Sequence, residues 1–298
     1  MNERINLLNK NDIQACCEYL HDADTVLIGA GAGLSADAGI DYTDTESFAR
    51  RFPALAKRGF HMKAELIGYT DWSPELQWGY LALHVNEVRF ETPPHPVYGR
   101  LHDLVANKDY FVITSNVDGM FPKNGFSGDH LFTPQGDYAR MQCQTPCRND
   151  TWPSKPIIDR ILPTVDPDTQ EVTDAEAIPR CPHCGGAVFL NVRAGHWFIE
   201  DPYVEQAERF TEWVRSTQES QLLVIEIGAG FNTPVVVRRP MERIVNNHPR
   251  AHLLRVNLNQ PQVPREIAKK SISLHCSAMA AITAIWKMMG TSHFKSNK

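Results

Sequence analysis

No block of like charges occurs in this chain of 298 residues, and 30 lysines and arginines against 35 aspartates and glutamates leave a formal net charge of -5. That balance gives little grip on a phosphate backbone, so nucleic acid is not expected as a partner. Nowhere do about eighteen uncharged apolar residues run together, and the opening MNERINLLNKND lacks the apolar core of a secretion signal. No membrane contact is expected, and a cytoplasmic location is. Internal repeats and low-complexity tracts are also missing, which excludes solenoids and fibres. A disulfide framework is a poor fit to seven cysteines, an odd number, of which four fall in two close pairs. Such pairs read as metal ligation in a reducing compartment.

What remains is ordinary globular material, 42% hydrophobic and 22% charged, long enough for a large α/β domain with a smaller one attached. Residues 11–21 have the period of a helix, with Asn11 or Asp12 near its start and Cys16 and Cys17 in its apolar pattern. A short apolar run from Asp24 to Ile28 then ends in a glycine cluster. Residues 41–95 read as mostly helical, without convincing strands, until TPPHP breaks the pattern. Further strand signals stand at Tyr110 to Thr114, His130 to Thr133, Leu222 to Ile227 and His252 to Val256. Buried strands alternating with helices predict a doubly wound, Rossmann-like parallel α/β sheet, with ligands gathered at the carboxyl ends of its strands. The expected division is a nucleotide-binding domain of residues 1–40, 96–138 and 198–298. A small lobe would combine a cysteine-bearing module, 139–197, with a helical insertion, 41–95.

Four motifs carry chemistry. In Gly29-Ala-Gly-Ala-Gly33-Leu-Ser-Ala36, residues Gly31, Gly33 and Ala36 have the G-x-G-x-x-G/A spacing of a turn that cradles a pyrophosphate, although a bare glycine turn has the same look. The acidic residue that a dehydrogenase places about 20 positions on is not found after a second strand, which argues against hydride transfer. Cys143-x3-Cys147 and Cys181-x2-Cys184, with Gly185-Gly186 beside the second pair, can close a tetrahedral thiolate shell. Such a shell is structural, and His183 and His196 are bystanders to it. In Thr114-Ser-Asn116-Val-Asp118-Gly, Asn116 can orient a ribose hydroxyl or a water, and Asp118 can accept from a carboxamide, while a plain Asn-Asp-Gly turn would use the same residues. Residues 228–234, GAGFNTP, with Asn257 and Asn259 after the next strand, offer small residues and amides at two further strand ends.

Together and in this order these segments resemble the sirtuins, over residues 24–285. The resemblance implies NAD as the cosubstrate and a structural zinc. It implies a cofactor-binding set of Gly31, Ala32, Gly33, Ala36, Asp41, Tyr42, Ser115, Asn116, Asp118, Gln135, Gly228, Ala229, Gly230, Asn257 and Cys276. Two departures matter. The family pattern continues Pro-Asp-Phe-Arg after the glycine motif, where this chain has Asp41-Tyr-Thr-Asp. The family's catalytic histidine precedes a glycine, and the matching stretch here is Thr133-Pro-Gln135-Gly136. A side-chain amide can orient a hydroxyl but cannot remove its proton, so efficient lysine deacylation is disfavoured. Cleavage of the nicotinamide glycosidic bond does not need that base.

The pattern is similar to the macrodomain-linked, class M sirtuins. That likeness implies protein mono-ADP-ribosylation with Asn116, Gln135 and Asp118 as the catalytic group. The acceptor would be a lipoylated carrier resembling the glycine-cleavage H protein, with a lipoate ligase and an ADP-ribose-removing macrodomain protein as functional neighbours. The alternatives are an NAD hydrolase, an NAD or ADP-ribose sensor without activity, and a weak deacylase.

Overall fold

A computed structural model describes residues 8–293. Residues 1–7, most of the opening segment, and 294–298 lie outside the described residues. Among the described residues nine strands are formed: β1 (Thr25–Ala30), β2 (Asp109–Thr114), β3 (Leu131–Phe132), β4 (Gly136–Cys143), β5 (Thr151–Pro153), β6 (Val188–Val192), β7 (Leu222–Ile227), β8 (Ala251–Val256) and β9 (Ser271–Leu274). Six make one parallel sheet in the order β3-β2-β1-β7-β8-β9. Every residue of β1 and β7 is buried, which is why both read as unbroken apolar runs rather than alternating ones.

Alternate residues serve two cores. Val26, Ile28 and Ala30 of β1 join Val112, Ile225 and Val256 under the helices Lys10–Asp22, Pro96–Val105 and Ala278–His293. Leu27 faces the other way with Phe111, Val224 and Leu253, against Met241 and Val245 of the helix Arg238–Asn247 and Phe210 of Asp201–Ser216. The doubly wound reading is correct. The first helix starts earlier than its sequence suggests: Asn9, not Asn11 or Asp12, is the cap, and its side chain accepts from Asn11 N at 3.0 Å. Ile13, Cys16, Cys17 and Leu20 form the buried stripe.

A third core lies apart from the sheet. Phe48, Phe52, Leu55, Trp78 and Val85 of the helical stretch pack with Met141, Cys143, Cys181 and Leu190. Their framework includes the helices Thr45–Arg51 and Pro74–Val85 and an antiparallel sheet in the order β5-β4-β6. That sheet was not expected. Its central strand, GDYARMQC, buries its first residue and its last three and leaves the four between half-buried, so no clean two-residue alternation marks it. The strand β9 was missed for a related reason: SISL is half polar and pairs at the sheet edge. Conversely, the signal at His130 to Thr133 yields only Leu131 and Phe132 as strand.

Candidate functional site

The strand order reverses at the β1/β7 pair, where a doubly wound sheet opens a crevice at its carboxyl edge. In the pairing register Ala30 lies level with Thr114 and with Ile227, Ile227 with Val256, and Val256 with Leu274. The segments that begin at Gly31, Ser115, Gly228, Asn257 and His275 therefore leave the sheet side by side. Five stretches nominated from distant parts of the chain share one edge.

Two of them interlock. Gly31 N donates to Ile227 O at 2.9 Å and Gly33 N to Gly228 O at 3.1 Å. A Cβ on Gly31 would stand 2.7 Å from Ala229 Cα, and one on Gly33 would stand 2.7 Å from Gly228 Cα. Gly228 has φ +64, and a Cβ there would come within 2.5 Å of Leu34 N. The glycines thus serve first to bring two turns into backbone contact, which widens the role read from spacing. Ala32 and Gly33 are exposed, Gly31 is buried, and Ala36 is half-buried at the end of the short helix Ala32–Ala36. Ala229 is buried, and Gly230 is exposed with Gln260 Oε1 beside it.

Asn257 is placed at the edge but occupied. Its Nδ2 donates to Ala229 O at 3.0 Å, and its Oδ1 accepts from Asn259 N and Gln260 N at 3.0 and 2.8 Å. It shapes both loops, and Asn259 stands exposed beside it. Cys276 is buried beyond β9, where burial and the neighbouring Asp37 push its thiol up to about 11. It stays protonated at neutral pH and brings no thiolate chemistry. Asp41 Oδ1 accepts from Thr43 N and Oγ1 at 2.7 and 2.8 Å, closing a local turn. Tyr42 turns its hydroxyl toward the small lobe, 3.2 Å from His84 Nε2 and 3.0 Å from the Tyr138 hydroxyl. Burial and nearby Lys63 push His84 down to about 3, so this cluster is neutral.

Ser115 N is bonded to Ala30 O at 3.1 Å, which continues the β2 pairing. Asn116 spans the crevice floor: its backbone N donates to Thr114 Oγ1 and its Nδ2 to Gly31 O, both at 3.0 Å. That bond uses one of the two Nδ2 hydrogens and leaves the amide oxygen for Asn116 to offer. Asp118 is buried, with Oδ1 accepting from Met120 N at 2.9 Å and Oδ2 from Ser35 Oγ at 2.5 Å. Burial raises its pKa above the ordinary carboxylate value, and the Ser35 and Met120 bonds oppose that rise. Ser35 had not been nominated, although it sits inside the glycine motif. Its hydroxyl also lies 3.3 Å from the Tyr98 hydroxyl.

Gln135 lies between the two sheets, after β3 of the parallel sheet and before β4 of the antiparallel one. Gly136 N closes a turn onto Thr133 O at 2.9 Å, and Arg193 N holds Gln135 O at 3.0 Å. Gly136 has φ +95, and a Cβ there would stand 2.1 Å from Asn191 O, so only glycine fits after Gln135. The Gln135 Oε1 atom is buried without a hydrogen-bond partner. An acceptor in that state is missing a donor, since buried polar atoms are ordinarily satisfied.

The four paired cysteines converge, with all four sulfurs within 4.8 Å of one another. Cys143 Sγ and Cys184 Sγ are 3.7 Å apart, as are Cys147 Sγ and Cys181 Sγ. Four thiolates on one zinc at about 2.3 Å would lie about 3.8 Å apart, so the set fits a tetrahedral ion. Cys181 N donates to Gly186 O at 2.8 Å and Gly185 N to Cys181 O at 2.9 Å, folding the second pair around its glycine turn. His183 pairs instead with Asp150 at 3.3 Å, and His196 is exposed.

No family model matches the chain. Among curated proteins it is 39% identical over 264 residues to a probable bifunctional ADP-ribose hydrolase/ADP-ribosyltransferase of Fusarium oxysporum f. sp. cubense, covering 86% of this chain and 44% of that protein. It thus spans less than half of that relative. It is 29% identical over 260 residues to a protein ADP-ribosyltransferase of Staphylococcus aureus, covering 86% of this chain and 81% of that one. Among solved structures, a mutant Sir2 homologue in complex with 2'-O-acetyl ADP ribose aligns with TM-score 0.63 at 16% identity, covering 96% and 99% of the two chains. The chain is sirtuin-like in fold, a Sir2-type Rossmann sheet with a four-cysteine lobe, and proteins named as protein ADP-ribosyltransferases are among its relatives in sequence.

Proposed function

We propose that this protein is an NAD-dependent protein mono-ADP-ribosyltransferase whose acceptor is a lipoylated carrier of the H-protein kind. The observation that carries the reading is Gln135, an amide with an orphaned buried oxygen, where the related deacylase pattern has a basic imidazole. Beside it stand the strand-end turns that suit a dinucleotide.

In this reading the pyrophosphate of NAD lies along the turns at Gly31 to Gly33 and residues 228–230. Asp118 accepts from the nicotinamide carboxamide, Asn116 Oδ1 accepts from the adjoining ribose, and the orphan Gln135 Oε1 accepts from a hydroxyl of the same ribose. The bond that breaks joins ribose C1' to the nicotinamide nitrogen, and its electron pair leaves with nicotinamide. Carbonyl oxygens fixed near the positive sugar carbon stabilise it without taking a proton. The acceptor side chain then forms the new bond to C1' and loses its proton to solvent. Deacylation would require a base to activate the ribose hydroxyl, typically worth roughly a hundred- to ten-thousand-fold in rate, and Gln135 is none. Four thiolates leave zinc no open position, so its part is to hold the small lobe together.

A macrodomain hydrolase that reverses the modification and a lipoate ligase that prepares the carrier belong to the same proposal, as does a cytoplasmic setting. The name of the Fusarium relative, which couples an ADP-ribose hydrolase to a transferase, supports the first of these. The test is mass spectrometry of carrier protein after exposure to this chain and NAD, with and without the lipoyl group. Added ADP-ribose on the lipoylated form alone is expected. Free ADP-ribose released at one rate regardless of carrier would make the protein an NAD hydrolase.

A further inference from the structure

One turn of π-helix, Asn86–Glu91, follows directly on the helix Pro74–Val85. Such turns recur at functional sites, because the extra residue re-aims the side chains around it. Two charged side chains leave this one in different directions. Glu87 accepts from Arg51 Nε at 2.8 Å and Lys63 Nζ at 3.1 Å, tying the turn to the helical lobe.

Arg89 reaches instead the start of β4 and the turn that follows β2. Its Nε and Nη2 donate to Asp137 Oδ1 and Oδ2 at 2.7 and 3.1 Å, a two-point contact. The same guanidinium lies on the backbone of Gly119, where a Cβ would stand 2.4 Å from Arg89 Cζ and 2.6 Å from its Nε. Gly119 follows Asp118, and Asp137 is the second residue after Gln135. Asp137 Oδ1 also accepts from its own strand, from Ala139 N at 2.7 Å. One planar cation therefore touches both the turn that carries the candidate carboxylate and the strand that begins just after the candidate amide, and it comes from a third element. The two side chains are 18% and 25% exposed, so the pair is shielded more than a surface ion pair, and its bidentate form fixes orientation as well as distance.

We propose that Arg89 is a positioning residue that sets the separation of residues 118–119 from residues 135–137, so that Asp118 and Gln135 meet one bound substrate. This rests on the reading of Asn116, Asp118 and Gln135 as the reacting site. A displacement of about 1 Å in such a site can cost on the order of a hundred-fold in rate. Lysine keeps the charge but cannot make the two-point contact.

The full chain is compared with Arg89→Met, Arg89→Lys, Asp137→Asn and the Arg89→Met/Asp137→Asn double variant, by amide hydrogen exchange and by nicotinamide release from NAD. In Arg89→Met, exchange is expected to quicken in residues 115–124 and 133–139 but not in 222–227. The kcat for nicotinamide release should fall roughly ten- to a hundred-fold, with KM for NAD changing less than about threefold. Lysine should restore part of the rate, and the double variant should be no worse than the worse single one. Unchanged exchange in either loop overturns the proposal. So do loosened loops with an unchanged kcat, and losses that multiply in the double variant. A wild-type protein that binds NAD but releases no nicotinamide would instead refute the reading of the site, and the exchange data alone would then decide the role of Arg89.

Discussion

At position 135 a carboxamide separates two chemistries that share a substrate. Breaking a glycosidic bond asks for fixed dipoles near a growing positive charge, and amide oxygens can supply those. Activating a ribose hydroxyl toward an acyl group asks for a proton acceptor, which only the imidazole of the related pattern provides. Gln135→His is expected to raise NAD-dependent deacetylation of an acetyl-lysine peptide by roughly tenfold or more, read as acetyl loss by mass spectrometry. No gain would mean that position 135 is not where the proton is taken. Asp118 makes a second prediction at this scale. Its folded-state pKa is raised by burial, so the folded protein holds that proton more tightly than the unfolded chain does. Stability from this group is then fully present below its ordinary pKa, near about 4, and is lost as pH rises through the folded-state value. Asp118→Asn should therefore melt higher than wild type at pH 7, with the difference shrinking toward about pH 4, while nicotinamide release falls. A gain that grew on acidification would contradict the assignment.

The elements that build the site are joined by backbone contact and by buried charge. Gly228→Ala would put a methyl group at positive φ against Leu34 N, and a loss of about 2 kcal/mol or more in unfolding free energy is expected from chemical denaturation. Beneath the same turn, Arg255 Nη2 donates to Glu226 Oε2 at 2.7 Å and Glu242 Oε1 at 2.8 Å. Arg238 donates to the carbonyls of Ala229, Gln260 and Gln262 at 3.1, 3.0 and 2.7 Å. Glu226 and Arg255 are wholly buried, and Arg255→Met would leave Glu226 only the longer ion pair to Arg238 at 3.8 Å, at a cost of about 3 kcal/mol. These elements were legible in unequal measure. The glycine turns, cysteine pairs and buried strands declare themselves within a dozen residues, because their physics is local. The Ser35 to Asp118 bond spans 83 positions and the Arg89 to Asp137 pair spans 48, and no periodicity or spacing links such residues in one sequence. The paired role of Gly33 and Gly228 was hidden for the same reason, since each turn looks complete alone. Tyr42 differs again: the resemblance implies a cofactor contact, and the structure shows its hydroxyl bonded to His84 and Tyr138, 42 and 96 positions away.

For the molecule as a whole, Gln135 lies between the last residue of β3 and the first of β4, so the small lobe borders the candidate site. Cys143 and Cys181 sit in the core that also holds Phe48, Trp78 and Leu190. Removing the metal with a chelator is expected to release hydrogen-exchange protection across residues 141–190 while β1 and β7 keep theirs. Equal loss in both regions would mean that the lobes unfold as one. Bond cleavage retained in a site that lacks its proton acceptor is the central expectation. The direct measurement is a single reaction holding NAD, an acetyl-lysine peptide and the lipoylated carrier, with every product weighed. ADP-ribose added to the carrier, nicotinamide released and the peptide still acetylated is the predicted result. Deacetylated peptide matched by acetylated ADP-ribose, with the carrier unmodified, would contradict it.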